Sequence, residues 1–105
     1  MGIATIIRGT QVHRVRVADH VDEEASADHL ALEEIYSSVL RGEVIEGYTA
    51  DKPYPSCLIF GRTSESAPVH SVSGYNDENR WAVLITVYRP DPERWIGWRV
   101  RKRRP

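Results

Sequence analysis

Cysteine occurs once in the 105 residues, at Cys57, which excludes an intrachain disulfide and a cysteine-built zinc site and suits a reducing cytoplasm. No apolar run approaches the roughly 20 residues that span a bilayer. The short stretch Ile3 to Ile7 lacks both a basic leader and the length of a signal sequence. The chain is therefore expected to be neither membrane-embedded nor exported. No Walker loop, dinucleotide glycine fingerprint, nucleophile elbow or zinc-binding helix motif occurs. Most cofactor enzymes are thereby disfavoured, and neither a cofactor nor a metal is expected. His20 and Glu24, four residues apart, place two ligand-type groups on one helical face, too few for a metal site.

What the chain does have is charge, and it is segregated. The formal net charge is only −1. From Asp19 to Glu46, however, nine acids stand against Arg41 alone, a balance of −8, and from Arg89 to Pro105 seven bases stand against Asp91 and Glu93, a balance of +5. A basic end of this kind points to an anionic partner, and a solvated charge run is the plainer alternative. The length permits a single domain, residues 1–105, with one core.

Periodicity gives the elements. Met1 to Thr10 shows no clear period and reads as a ragged end or an edge strand. Val12 to Val17 alternates and reads as an extended lead-in; Val17, Val21 and Ala25 then recur at helical spacing, predicting an acidic helix to about Ala27, broken at Asp28-His29. Leu32, Ile35, Tyr36, Val39 and Leu40 form one stripe of a second helix, with Gly42 as its left-handed stop. After Gly42 the period changes to two. Strands are predicted at Glu43 to Tyr48, Ser56 to Arg62, Val69 to Tyr75 and Trp81 to Tyr88, and a helical turn at Glu93 to Trp98. The expected fold class is α+β: two N-terminal helices packed on a four-stranded antiparallel meander whose other face is open.

Chemistry is sought on that open face. If Tyr75 pairs with Trp81 across a five-residue loop, His70 lies opposite Thr86 and diagonal to Tyr88. The alternate face, Trp81, Val83, Ile85 and Val87, then forms the core stripe. His70, Thr86 and Tyr88, with Arg89 just beyond, would supply an acid–base group, orienting hydroxyls and a phosphate clamp. The plainer alternative is a surface histidine among ordinary strand residues. His20 is a second acid–base candidate, while His13 and His29 receive no role. Cys57, beside Leu58, Ile59 and Phe60, reads as a small core residue. Arg94, Arg99 and Arg101, interleaved with Trp95 and Trp98, would suit contacts to single-stranded RNA; the alternative is that both tryptophans cap the core.

Four stretches in order, Arg41-Gly-Glu-Val-Ile-Glu-Gly-Tyr48, Lys52-Pro-Tyr-Pro-Ser-Cys-Leu58, Pro68-Val-His70 and Leu84-Ile-Thr-Val-Tyr-Arg-Pro-Asp-Pro-Glu-Arg-Trp95, closely resemble the bacterial family called domain of unknown function 4258. The likeness covers about residues 17–98, leaving 1–11 as an extension and 99–105 as a basic tail. That family looks like a branch of the barnase-like and RelE-like nuclease superfold, which includes toxins of toxin–antitoxin systems. The resemblance implies two helices on an antiparallel sheet, and it matches its site positions to His20, His70 and Thr86 to Tyr88. One departure is Glu24, where many relatives carry an arginine.

The expectation is a cytoplasmic, metal-independent ribonuclease-like toxin cleaving RNA, free or on the ribosome, with an antitoxin protein as partner. The rival is a non-catalytic RNA- or protein-binding module of the same fold. A third possibility is a regulatory partner docking through its acidic helix, Asp19 to Glu34. The sequence indicates no oligomeric state.

Overall fold

A computed structural model describes residues 3–11 and 14–102. The elements run α1 (Ile3–Gln11), β1 (Val15–Val17), α2 (Val21–Ala27), α3 (Leu32–Leu40), β2 (Glu43–Tyr48), β3 (Ser56–Arg62), β4 (Pro68–Asn76), β5 (Trp81–Tyr88), β6 (Trp95–Ile96) and β7 (Val100–Arg101). Strands β2 to β5 form the antiparallel meander that alternation predicts. The fold nevertheless differs from two helices on four antiparallel strands. Among the described residues there are three helices, and β1 pairs in parallel with β5, giving a mixed five-stranded sheet in the order β1-β5-β4-β3-β2. A separate hairpin, β6–β7, follows the sheet.

Helix α1 falls in the stretch that shows no clear period, and β1 falls in the alternating lead-in. Helix α1 buries Ile6 against Val39, Cys57, Ile59 and Ala82, so tertiary packing holds a segment of weak local preference in a helix. Strand β1 is only three residues long and is fixed by β5 rather than by its own alternation. The second cluster joins Val21 and Ala25 of α2, Leu30, and Ile35 of α3 to Val69, Leu84 and Val87. Both clusters lie on the helix-covered face. Glu34 helps start α3 by accepting the Ala31 N–H at 3.1 Å. His29, with φ of 55°, takes the left-handed position that ends α2.

Gly42 is not the left-handed stop of α3. Its role is close approach: a Cβ there would sit 2.4 Å from Ile59 Cγ2 and 2.9 Å from Ser38 O. Gly61 is tighter still, with a Cβ placed 2.0 Å from Ser38 O. These two glycines press β3 onto the backbone of α3.

The register of the last hairpin also departs from strict alternation. Asn76 pairs with Trp81 across a four-residue loop, and a bulge between Val72 and Ser73 shifts the pairing again. His70 therefore faces Tyr88 directly, and Thr86 faces Val72. The core side of β5 is Ala82 and Leu84 and then, past the bulge, Val87; Val83 and Ile85 are only half-buried.

The opposite face of the sheet is not open. Phe60 and His70 alternate with core-facing Ile59 and Val69 and so point away from the helices, yet both are buried. The cover is the C-terminal hairpin: Trp95 is 6% exposed, and its ring stands 4.4 Å from that of His70. The segment 93–98 is thus no helical turn: it carries β6 and the start of the turn that leads to β7.

Candidate functional site

His70 is fully buried at the centre of this second face. Phe60, Tyr88 and Trp95 meet its ring edge-on, at centroid distances of 5.9, 5.2 and 4.4 Å. Both ring nitrogens are engaged: Nε2 lies 2.7 Å from the Trp98 carbonyl and Nδ1 lies 3.1 Å from the Tyr88 hydroxyl. A carbonyl can only accept, so Nε2 carries the proton; in the neutral ring Nδ1 then accepts from Tyr88 O–H. Burial lowers the pKa of His70, and the hydrogen bond to Trp98 opposes that shift without cancelling it. Burial likewise raises the pKa of Tyr88, which stays a phenol and a donor. The pair is a neutral imidazole with one basic nitrogen held against one hydroxyl.

The hairpin is positioned by its turn and by two ion pairs. Gly97 and Trp98 both have positive φ, 56° and 66°, and the Arg99 N–H bonds Ile96 O at 3.1 Å, as in a tight hairpin turn. A left-handed tryptophan is strained by roughly 1–2 kcal/mol, and that strained residue is the one whose carbonyl meets His70. Arg101 makes a two-pronged contact to Glu46, at 2.7 and 3.1 Å, and its guanidinium lies 4.7 Å from the Trp95 ring centre. Glu46 also accepts the Tyr48 hydroxyl at 2.6 Å. Arg101 holds the Glu46 carboxyl below its ordinary pKa, while burial pushes Tyr48 up. Arg99 pairs with Glu43 and lies over Phe60 at 4.7 Å.

The other predicted site residues are elsewhere. Thr86 donates its hydroxyl to both carboxylate oxygens of Glu24, at 2.8 and 2.7 Å, and the Val87 N–H bonds the same carboxylate at 3.2 Å. β1 pairs with β5 only as far as Leu84, and Glu24 supplies the acceptor that the free edge beyond lacks. His20 Nε2 stands 3.9 Å from Glu24 and belongs to this group. Arg89 bonds Asp28 through its backbone N–H at 2.7 Å, and its guanidinium donates to the carbonyls of Asp28 and His29, which ties the end of β5 to the end of α2. Arg94 is exposed, 3.8 Å from Asp91. Val12, His13 and residues 103–105 of the tail lie outside the described residues. Cys57 is buried in the core, where burial raises the pKa of its thiol.

Of the eight predicted site residues, His70 and Tyr88 are in direct contact and Arg101 packs on the ring beside them. His20 and Thr86 gather around Glu24 instead. Sequence reasoning missed Glu46, Tyr48, Phe60 and the Trp98 carbonyl. A signal existed for Glu46 in the charge segregation: Glu43 and Glu46 of the acidic stretch are the ion-pair partners of Arg99 and Arg101. Among the described residues, no group of three or more side chains of metal-ligating type comes together, and no helix is long and apolar enough to cross a membrane.

Fold and site together define a small helix-backed mixed sheet whose second face buries a histidine–tyrosine pair beneath a C-terminal hairpin. The chain belongs to the family described as Domain of unknown function (DUF4258), which matches residues 17–89. The match takes in His20, His70, Thr86, Tyr88 and Arg89, and it ends before Arg94 and the hairpin, short of the Trp98 limit expected from the sequence. No curated protein and no solved structure matches the chain.

Proposed function

We propose that this chain is a metal-independent, ribonuclease-like protein of the toxin type, with His70 and Tyr88 as its acid–base pair. The observation that supports this is the 3.1 Å contact between Tyr88 and the unprotonated nitrogen of a buried, neutral histidine. On this reading Nδ1 takes the proton of a ribose 2′-OH as that oxygen attacks phosphorus, the P–O5′ bond breaks, Tyr88 O–H protonates the leaving 5′-oxygen and is restored by the proton on Nδ1, and Arg101, freed from Glu46, steadies the charge on the phosphorane oxygens. The hairpin lifts to admit RNA, so the described form is the resting one. The likeness of the family to RelE-like and barnase-like nucleases belongs to the same proposal, as do an antitoxin partner and a cytoplasmic location. Inducible expression tests it. Wild-type protein should arrest growth and degrade cellular RNA, and Tyr88→Phe, which removes only a hydroxyl, and His70→Ala should relieve both effects. Normal growth with intact RNA under wild-type expression would sink the reading.

A second reading, a non-catalytic RNA- or protein-binding module, is favoured by the complete burial of His70 and the occupation of both its nitrogens. It predicts a partner retained on the purified protein with no cleavage at any pH.

A further inference from the structure

The end of α3, the start of β2 and the turn between β3 and β4 enclose a groove of about 450 Å³, bordered by Arg41, Glu43, Phe60, Arg62, Ser66 and Arg99. A volume of that order suits a small ligand or the end of a larger one. We infer that this groove binds a terminal phosphate, the dianionic phosphomonoester at the end of a nucleotide or an oligonucleotide. The inference uses a different site from the His70 pair and does not rest on the ribonuclease reading.

Charge is the first argument. Three arginines stand against one carboxylate in the groove lining, a balance of +2. The carbonyl end of α3 offsets about half a charge of this, and what remains matches the roughly −1.5 to −2 of a phosphomonoester at neutral pH. An internal phosphodiester, with a single charge, would leave the site under-neutralised.

Placement is the second argument. Among the described residues, neither Arg41 nor Arg62 has a carboxylate within ion-pair distance, whereas Arg99 occupies Glu43. Arg62 spends one N–H on the Ser66 carbonyl, at 3.0 Å, and keeps its other donors free. Its guanidinium and that of Arg99 lie 5.3 and 4.7 Å from the Phe60 ring centre, so both are held on a buried ring rather than left to sample solvent. Gly61, lacking a Cβ, lets β3 lie against Ser38 of α3, and Arg62, the next residue, lines the same groove as Arg41. Fixed guanidinium groups without carboxylate partners recognise phosphate through paired N–H donors.

The test titrates the full-length protein, at low salt, with inorganic phosphate, a nucleoside monophosphate, a 5′-phosphorylated RNA hexamer and the same hexamer with a 5′-hydroxyl, following backbone amide shifts. Phosphate-bearing ligands should move the amides of Arg62, Thr63 and Ser66, and Arg41→Ala or Arg62→Ala should weaken binding roughly tenfold, as loss of a charge-assisted pair implies. A hexamer preferred over the mononucleotide assigns the site to RNA ends, and equal affinity assigns it to free phosphomonoesters; either supports the inference. The inference is overturned if the 5′-hydroxyl hexamer binds equally well, if phosphate moves no amide of the groove, or if Arg41→Ala binds as tightly as wild type. Arg41 is exposed, so its variant keeps the fold.

Discussion

Glu24 stands where the family resemblance leads one to expect an arginine, and its contacts make the consequence of replacing it calculable. The carboxylate accepts two donors from the free edge of β5, the Thr86 hydroxyl and the Val87 N–H. Hydrogen bonds to a charged acceptor contribute about 1.5–3 kcal/mol each where water is excluded. The Glu24 side chain is 35% exposed, so water takes over part of each bond when the carboxylate is removed. Glu24→Ala should therefore cost about 1–2 kcal/mol, an amount that lowers the Tm of a domain this size by roughly 5–15 °C. Glu24→Gln keeps one acceptor oxygen and should lose about half as much. Glu24→Arg offers no acceptor to either donor and should be worse than alanine. Thermal unfolding followed by circular dichroism measures all three. A double-mutant cycle of Glu24→Ala with Thr86→Val should return a coupling of about 0.5–1.5 kcal/mol. If Glu24→Ala melts with wild type, or if the coupling is zero, the carboxylate is not the edge acceptor described.

Three further predictions follow the same contacts. Because the folded protein holds His70 neutral below its ordinary pKa of 6.5, the unfolded chain binds that proton first. The corresponding stability is whole above pH 6.5 and falls as the pH drops below it toward the depressed folded value; Glu46, lowered from 4.5, adds a second loss below that pH. Denaturant midpoints measured from pH 8 to 4 should decline in both windows for wild type, and only in the lower one for His70→Gln. Gly61→Ala, which drives a Cβ into the Ser38 carbonyl, should cost about 3 kcal/mol or more, while Gly47→Ala, with open space around it, should change urea-denaturation stability by less than about 1 kcal/mol. Arg101→Ala should loosen the hairpin, seen as a red shift of tryptophan emission and faster exchange of the Lys102 amide, which bonds Arg94 O. Since the Arg101 side chain is 60% exposed, the stability cost should stay near 1 kcal/mol.

Helix α3 and strands β2 to β5 were legible because each carries a full period of apolar residues: Ile35 and Val39 for the helix, and Cys57 and Ile59 for the buried side of β3. What escaped was set by partners distant in sequence. The alternation up to Val17 marks an extended lead-in, but the parallel pairing that makes Val15–Val17 a strand of the sheet depends on β5. Ile6 is helical because Val39, Ile59 and Ala82 receive it. The bulge at Val72/Ser73 carries no glycine or proline to announce it, and together with the four-residue loop it puts Tyr88 rather than Thr86 opposite His70. The hairpin escaped because two-residue strands leave no pattern and because its arginines read as a solvated or RNA-facing tail. In the fold Arg99 and Arg101 are partners of Glu43 and Glu46, so the separated charges of the sequence close the chain on itself.

The most direct test of the functional account is cleavage of a defined RNA by purified protein in the presence of a metal chelator. The account predicts products ending in 2′,3′-cyclic phosphate, formed without metal and lost in Tyr88→Phe and in His70→Gln protein that still melts cooperatively. RNA left intact by the wild type at every pH from 5 to 9, or cut equally by Tyr88→Phe, would contradict it.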